Sequence, residues 1–286
     1  MAGEETRAAL AAQPEWLRQV PTDRRLPPGR VVAIGCGTSF HAALTTGAGV
    51  QALELLLEPR EADVLVVLSH EGGTRVTLEA ARAFRGERWL VTGAPESPLA
   101  TVCEEVVVAT PELERCYCHT ASYTCAVAAL AALRGEDVSW LPDAVEAELA
   151  AEPFAVSQHE RWLIAGAGRD WPTVLEASLK LREGAFVAAE PHHTEQLLHG
   201  DLAAVDESVR CFVLEGEGRA AERAGDAVAA LRELGCEVTL VPTVHPVVDI
   251  VRFQRLTVDL ADARGVNPDR IRRDDERWAR ARAAYR

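Results

Sequence analysis

Short runs of consecutive apolar residues alternate along this chain with longer segments in which apolar residues recur every three or four positions. Two of the runs, residues 31–34 and 162–165, are each followed by a glycine turn, GCG at 35–37 and GAG at 166–168, and then by a helical pattern. An uninterrupted apolar run is typical of a parallel strand buried on both faces. Strands that alternate with helices indicate βαβ units, so we predict an α/β fold with parallel sheets.

The same order of elements occurs in both halves of the chain. Residues 30–53 and 161–181 share the strand–turn–helix order, and residues 63–95 and 208–243 continue it with strand, loop, helix and strand. We therefore predict two tandem doubly wound domains, flavodoxin-like or Rossmann-like, with right-handed crossovers. The predicted organisation is an N-terminal helix and linker at 1–24, a first domain at 25–150, and a second domain with a C-terminal helix and charged tail at 151–286.

The segments outside the repeated units also carry patterns. Residues 3–19 predict a short amphipathic helix, and residues 145–160 predict an amphipathic helical bridge between the domains. The pattern after Pro246 predicts a helix that ends at Gly265. The charged tail beyond it offers no evident core face except Trp278.

Charge and hydropathy exclude some classes of protein. The formal net charge is −14, which disfavours a nucleic-acid partner because such a partner requires a basic face. No stretch approaches the ~18 consecutive apolar residues of a membrane span, and the N-terminus lacks the apolar region of a signal peptide. A cytoplasmic protein with no membrane partner is expected.

We expect neither a cofactor nor a metal. The seven cysteines are an odd number and are scattered, which argues against a disulfide framework. Cys116, Cys118 and His119 could ligate a metal, but no second ligand pair at zinc-type spacing accompanies them. Neither GxG turn carries the third glycine of a dinucleotide fingerprint.

Ligands of open α/β sheets bind beyond the carboxyl ends of the strands, and polar residues cluster there in the first half. These residues stand beside predicted helix starts, where free N–H groups can bind an anion. The candidate ligand-binding residues are Gly37, Thr38, Ser39, Ser69, His70 and Thr74. The alternative is that the hydroxyl residues only cap helices. Glu71 lies within the same loop, and its negative charge would repel an anion. It could cap the following helix, it could be offset by His70 or Arg75, or the substrate could lack a phosphate and present a hydroxyl or amine to it.

Several separate motifs resemble the SIS (sugar isomerase) family, and most closely the isomerase module of its glucosamine-6-phosphate synthases, with no glutaminase domain in front. The motifs are EETRAALAAQPEWLRQ at 4–19, GCGTSFHAA at 35–43, LSHEGGT at 68–74, LEASLKLREG at 175–184 and AAEPHHTEQLLHGDLAAVDE at 188–207. The resemblance covers nearly the whole chain in order. It implies two SIS domains and a homodimer whose sites are shared between subunits.

The resemblance also implies roles for individual residues. Glu183 is expected to move a proton between C1 and C2 of an open-chain sugar, and His199 from the neighbouring subunit to help open the sugar ring. Glu176 and Lys180, which is the only lysine in the chain, match residues that contact the sugar. Their spacing with Glu183 predicts a common helix face.

Three departures from the family pattern narrow the expected activity. Glu71 replaces the second serine of the family's Ser-x-Ser-Gly-x-Thr phosphate loop. The family's Ser-Thr-Lys segment becomes residues 118–122 without a lysine, and Thr120 of that segment is counted among the substrate-binding candidates. The tail lacks the lysine that forms a Schiff base in the synthase. Amination by the synthase route is therefore not expected.

The expected function is a sugar or sugar-phosphate aldose–ketose isomerase, or an aminosugar-phosphate deaminase, that acts through an enediol or enolamine intermediate. The alternatives are a deglycase or isomerase for a non-phosphorylated or amine-bearing sugar, and a non-catalytic sugar-phosphate sensor.

Overall fold

A computed structural model describes residues 2–285 and contains two parallel sheets. The first sheet has the order β2-β1-β3-β4-β5, and every pairing in it is parallel. Its strands are β1 (Val31–Gly35), β2 (Gly49–Gln51), β3 (Val64–Leu68), β4 (Glu87–Thr92) and β5 (Glu105–Val108). The middle strand β3 is buried at every position, because helices cover both faces of the sheet, which explains its unbroken apolar sequence.

The second sheet has the order β7-β6-β8-β9 and is also wholly parallel. Its strands are β6 (Arg161–Gly166), β7 (Ala188–His193), β8 (Val209–Leu214) and β9 (Glu237–Val241). In each sheet the first strand in sequence lies second in space, between the second and third strands. The predicted α/β fold with parallel sheets is confirmed.

Helices surround and connect the two sheets. They are α1 (Glu4–Arg18), α2 (Thr38–Leu44), α3 (Ala52–Leu57), α4 (Arg75–Ala83), α5 (Ala121–Leu133), α6 (Leu141–Ala150), α7 (Trp171–Lys180), α8 (Thr194–His199), α9 (Arg219–Glu233), α10 (Pro246–Ala263) and α11 (Glu276–Ala283). A π-helical turn, Leu181–Ala185, follows α7 directly. Within residues 2–285, no helix is both long and apolar enough to cross a bilayer.

One hydrophobic cluster joins the two sheets. It contains Val66 and Val91 of the first sheet, Ile164 and Phe212 of the second, and much of α5 and α10 between them. Nearly all of α5 is buried, which accounts for its alanine-rich sequence without a polar face.

Two expectations about the connecting segments are wrong. The helical bridge predicted at 145–160 ends at Ala150, and residues 152–159 carry no regular secondary structure. Pro153 explains the end, because a proline lacks the N–H that a helix interior needs and disfavours a helical residue before it.

The second wrong expectation concerns the charged tail, which packs against the body of the protein although no core face was expected in it except Trp278. Asp269 is 5% exposed, and its side chain accepts hydrogen bonds from the Thr6 N–H (2.8 Å), the Thr6 hydroxyl (2.7 Å) and the Glu5 N–H (3.3 Å). It therefore satisfies the free N–H groups at the start of α1. Trp278 is half-buried, and the guanidinium of Arg272 lies 4.3 Å from its ring centroid.

Candidate functional site

A cavity of about 290 Å³ lies at the carboxyl ends of β1, β3 and β4. This is the position at which open parallel sheets bind ligands. The lining includes seven of the eight residues that the sequence analysis selected in the first half, namely Gly37, Thr38, Ser39, Ser69, His70, Glu71 and Thr74. Glu183 also lines it, and it comes from the second half of the chain.

The loop after β3 is held in shape by its glycine and by hydrogen bonds. Gly72 has φ 65°, and a Cβ at this position would lie 1.9 Å from the Ser97 hydroxyl, so no larger residue fits. The Gly72 N–H donates to the Ser69 hydroxyl over 3.2 Å. The backbone carbonyl of His70 accepts from the Gly93 N–H over 3.0 Å. The loop is therefore ordered before any ligand binds.

A buried carboxylate, Glu114, organises the wall beside that loop. It accepts hydrogen bonds from the Thr120 N–H (2.7 Å), the Thr120 hydroxyl (2.8 Å) and the Ser122 N–H (2.9 Å). Burial alone would raise the pKa of Glu114, but His119 and these backbone donors outweigh it and lower the pKa. Thr120 is thus turned to Glu114 and is absent from the cavity lining. The sequence analysis missed Glu114, because one glutamate in a loop has no distinguishing pattern.

His70 is a neutral side chain in this setting. Its Nε2 accepts the Glu114 N–H over 2.9 Å, which requires an unprotonated nitrogen. Burial, and then the neighbouring His119, lower the pKa of His70 to about 4. His70 therefore supplies no positive charge to an anion or to Glu71.

Lys180 lies behind the cavity, in a cluster of polar side chains. Its ammonium group is close to the carboxylates of Glu176 and Glu183 and to the hydroxyl of Thr38. Its Nζ is 2.7 Å from Glu183 Oε2, 3.4 Å from Glu176 Oε1 and 3.2 Å from Thr38 Oγ1. The side chains of Lys180 and Glu176 are 0% exposed, and that of Glu183 is 26% exposed. Of the three charged residues, only Glu183 lines the cavity.

The charges in this cluster stabilise one another. Burial by itself would lower the pKa of Lys180, yet Glu176 and Glu183 hold it well above its usual value. Burial likewise opposes the ionised form of Glu176, but Lys180, His41 and Thr38 lower its pKa. His41 Nδ1 is 2.7 Å from Glu176 Oε2, and the Thr38 hydroxyl donates to Glu176 Oε1 over 3.0 Å. Both charges are therefore paired and hydrogen-bonded, as buried charges must be.

The π-helical turn gives Glu183 its position. The regular helix α7 carries Glu176 and Lys180 and ends there, and Glu183 belongs to the wider turn that follows. A π turn holds one residue more than an α-helical turn and is frequent at functional sites. The predicted common face of one regular helix is thus replaced by a helix and a π turn that bring the three side chains together.

Glu71 is exposed and makes no hydrogen bond or ion pair with any residue between 2 and 285. Arg75 pairs with Glu79 over 3.0 Å instead, and His70 is neutral. Thr74 is the N-cap of α4, which has no side-chain cap. The expectations that Glu71 caps this helix or is offset by a neighbouring cation are therefore wrong.

His199 does not line the cavity of its own chain. Its side chain is 69% exposed, and its Nε2 lies 2.8 Å from Glu195 Oε1. Glu195 in turn pairs with Arg223 over 2.8 Å. The expectation that His199 serves the cavity of a neighbouring subunit stays a prediction.

Two groups in the cavity were not anticipated. Ile271 and Arg273 of the charged tail line it, and so do Tyr117, His119 and Ser122. His119 Nδ1 lies 3.1 Å from the Ser122 hydroxyl. The tail shows no apolar periodicity, so its sequence pattern did not place it at a cavity. Only the resemblance to the synthase, whose tail lysine forms a Schiff base, connected this segment with a substrate.

Three cysteines close to the cavity are buried thiols of low reactivity. Cys116, Cys118 and Cys125 are buried, and burial raises the pKa of each, to about 12 for Cys118. A protonated buried thiol is a poor nucleophile and a poor metal ligand. Among residues 2–285, no group of three or more His, Cys, Asp or Glu side chains is placed to hold a metal ion.

Comparison with known sequences finds isomerizing glutamine–fructose-6-phosphate aminotransferases. The chain is 28% identical to the enzyme of Thermus thermophilus, over 85% of this chain and 51% of that protein. It is 25% identical to the enzyme of Chlorobaculum tepidum, over 94% of this chain and 53% of that protein. The chain thus spans about half the length of these curated relatives. No family model matches it.

Comparison with solved structures finds the same overall fold in sugar-phosphate enzymes. Glucosamine-6-phosphate deaminase from Thermotoga maritima superimposes with a TM-score of 0.75 at 19% identity, over 93% of this chain and 97% of that one. Tagatose-6-phosphate ketose/aldose isomerase from Escherichia coli gives 0.74 at 17% identity, over 93% and 95%.

A third structure is the C-terminal domain of glucosamine-fructose-6-phosphate aminotransferase from Francisella tularensis. It gives a TM-score of 0.77 at 17% identity, over 93% of this chain and 98% of that domain. At these identities the superpositions establish the fold. The sequence relatives, together with the motifs at 35–43, 68–74 and 175–184, show that the chain is similar over most of its length to the isomerase half of these aminotransferases.

Proposed function

We propose that the chain is an enzyme that moves a proton between C1 and C2 of an open-chain sugar or sugar phosphate, as an aldose–ketose isomerase or an aminosugar deaminase. One observation carries the proposal. Glu183 lines the cavity, and its Oε2 is 2.7 Å from the Nζ of the buried Lys180. Two of the structural neighbours bear the names of a deaminase and of a ketose/aldose isomerase.

The chemistry uses the carboxylate as both base and acid. Glu183 takes the proton from the carbon next to the carbonyl, the C–H electrons form the C1–C2 double bond, and the carbonyl electrons move to the carbonyl oxygen, which takes a proton from water to give an enediol. The protonated Glu183 then returns its proton to the former carbonyl carbon while the hydroxyl on the other carbon releases its proton to water, so that the carbonyl moves by one position. If C2 carries an amino group, the product is an imine, which water hydrolyses to release ammonia. Lys180 fixes the orientation of the carboxylate by its short hydrogen bond.

The quaternary organisation belongs to the same proposal. His199 is exposed in the single chain, and a second subunit would bring it over the cavity, where an imidazole can exchange a proton with the ring oxygen to assist ring opening. We further propose that the two sheets are duplicated SIS domains at 25–150 and 151–286, preceded by a helix and linker at 1–24, and that the enzyme acts in the cytoplasm.

Glu71 favours a second candidate function. Glu71 lines the cavity and has no partner among the described residues, and an unpaired negative charge close to a phosphate repels it. A substrate with a hydroxyl or amine at this point would satisfy it. A deglycase that acts on a sugar–amine adduct, or an isomerase of a non-phosphorylated sugar, is therefore the alternative.

The test is turnover by the purified chain with free and phosphorylated ketoses, aminosugars and sugar–amine adducts, with isomer and ammonia measured. Glu183→Gln is expected to lower kcat by roughly 10²- to 10⁴-fold, the usual contribution of a general base. Glu233→Gln is the matched control, because Glu233 lies exposed at the end of α9. Binding without turnover across the panel would refute the enzyme and identify a sugar sensor.

A further inference from the structure

The cavity contains one side chain with a permanent positive charge, Arg273, among the residues that line it. Its guanidinium makes no hydrogen bond and no ion pair with any residue between 2 and 285, and its Nε is buried without an acceptor. A buried N–H that has lost water and gained no partner is unfavourable. In the free protein the guanidinium of this cavity residue is therefore left without an acceptor among residues 2–285.

The neighbouring acids of the tail are already engaged elsewhere. Asp274 accepts from Arg270 over 2.8 Å, and Asp275 caps α11 through the Arg277 N–H over 2.8 Å. Asp269 is committed to the start of α1. In a chain with a net charge of −14, Arg273 nevertheless lacks a carboxylate partner in the part of the chain that the structure describes.

The position of Arg273 is fixed by its surroundings. Its guanidinium carbon lies 3.7 Å from the ring centroid of Tyr117, an arrangement that orients the planar group by cation–π attraction. The Tyr117 N–H donates to the Asp269 carbonyl over 2.9 Å, so the backbone of the tail is bound directly to the residue whose ring contacts Arg273. A donor held in place loses little entropy when it binds a ligand.

The backbone before Arg273 is strained. Ile271 has φ 40° and Arg272 has φ 59°, and the left-handed region is rare for a β-branched residue such as isoleucine. Arg272 is held there between Phe186 and Trp278, with its guanidinium carbon 4.2 and 4.3 Å from their ring centroids. These contacts hold the turn that presents Arg273 to the cavity.

We propose that Arg273 binds an oxyanion group of the substrate, a phosphate or a carboxylate. A guanidinium presents parallel N–H groups that match two oxygens of either group. The loop at 69–74 is a poorer place for that group, because Glu71 has no neutralising partner there among residues 2–285. This inference rests on the proposed function only in taking the cavity as the substrate site.

Anion binding is measurable without turnover. Isothermal titration calorimetry of the full chain in Tris chloride, with inorganic phosphate and separately with acetate, compares the wild type with Arg273→Gln and Arg273→Lys. Arg277→Gln is the matched control, since Arg277 is exposed in the same tail and does not line the cavity. Thermal unfolding checks that each variant is folded.

At least one anion is expected to bind the wild type and to lose roughly tenfold or more in affinity in Arg273→Gln, as expected for a charge-assisted hydrogen bond. Arg277→Gln is expected to stay within about twofold. Arg273→Lys keeps the charge but loses the paired donors, so an intermediate affinity is expected. A preference for phosphate identifies a sugar phosphate, and a preference for acetate identifies a carboxylate-bearing substrate.

The inference is overturned if neither anion binds the wild type, or if both bind Arg273→Gln as well as they bind the wild type. Its failure is distinct from that of the proposed function. Glu183→Gln is expected to keep anion binding while turnover is lost. If no sugar is turned over and phosphate binding still depends on Arg273, the enzymatic proposal fails and the assignment of Arg273 stands.

Discussion

Replacement of Lys180 by methionine tests whether the buried charge cluster is as tightly balanced as the structure indicates. Methionine fills nearly the same space but carries no charge. The variant would leave Glu176, which is 0% exposed, without its cation, and Glu183 would lose its 2.7 Å hydrogen bond. The thioether supplies no donor in exchange, so the desolvation of the carboxylates is no longer compensated.

The expected loss of stability follows from the burial of Glu176 and Lys180. Removal of one partner from a buried ion pair typically costs about 3–5 kcal/mol, because the other charge is left uncompensated. For a chain of this size, about 1 kcal/mol corresponds to a shift of roughly 2–4 °C in Tm. Lys180→Met is therefore expected to lower Tm at pH 7 by about 6–20 °C.

Thermal unfolding followed by circular dichroism measures this shift, and a second variant identifies its cause. In Lys180→Met/Glu176→Gln, a neutral amide replaces the carboxylate that lost its cation. The amide oxygen can still accept the hydrogen bond that the Thr38 hydroxyl donates to Glu176 over 3.0 Å in the wild type. The double variant is expected to recover about half of the lost stability or more. A single variant that melts within about 2 °C of the wild type, or a double variant no more stable than the single, refutes the reasoning.

Three further predictions concern single residues. Asp269→Ala removes the acceptor for the first N–H groups of α1, so a loss of about 2 kcal/mol in the free energy of unfolding is expected in urea titrations, and an unchanged midpoint contradicts it. Burial raises the pKa of Asp249 to about 7, above the unfolded value of about 3.9, so its ionisation destabilises the fold as pH rises through that interval. Asp249→Asn is therefore expected to gain stability relative to the wild type at pH 8 and to lose that gain near pH 4, whereas a pH-independent difference is the opposing result. Glu71→Ser is expected to raise the affinity for inorganic phosphate, measured by calorimetry, by roughly tenfold through removal of an unpaired negative charge, and no change or a loss would show that Glu71 does not repel the anion.

The strands and the first cavity loops could be predicted because their patterns are local. β1 and β6 begin within one residue of the predicted runs, since a strand buried on both faces must be apolar throughout. The glycine turns mark the carboxyl ends of those strands, where a ligand site is expected. Seven of the eight candidates of the first half line one cavity, and Thr120 does not.

The positions of Thr120 and of the charged tail could not be predicted, because they depend on tertiary contacts rather than on a local pattern. Thr120 is directed to Glu114, six residues earlier, rather than to the cavity, and no periodicity distinguishes these alternatives. The tail bends over the cavity because Asp269 binds the first turn of α1, more than 260 residues away. Such long-range polar contacts have no repeating sequence pattern, and so Arg273 was missed.

The π turn at Leu181–Ala185 makes the orientation of Glu183 sensitive to the number of residues before it. Each residue advances a helix by about 100° around its axis, so deletion of one residue between Lys180 and Glu183 would swing the carboxylate to another side. Glu176 and Lys180 lie upstream and would keep their contact. A chain one residue shorter at this point could thus retain its buried ion pair and its fold yet present no acid to a bound sugar.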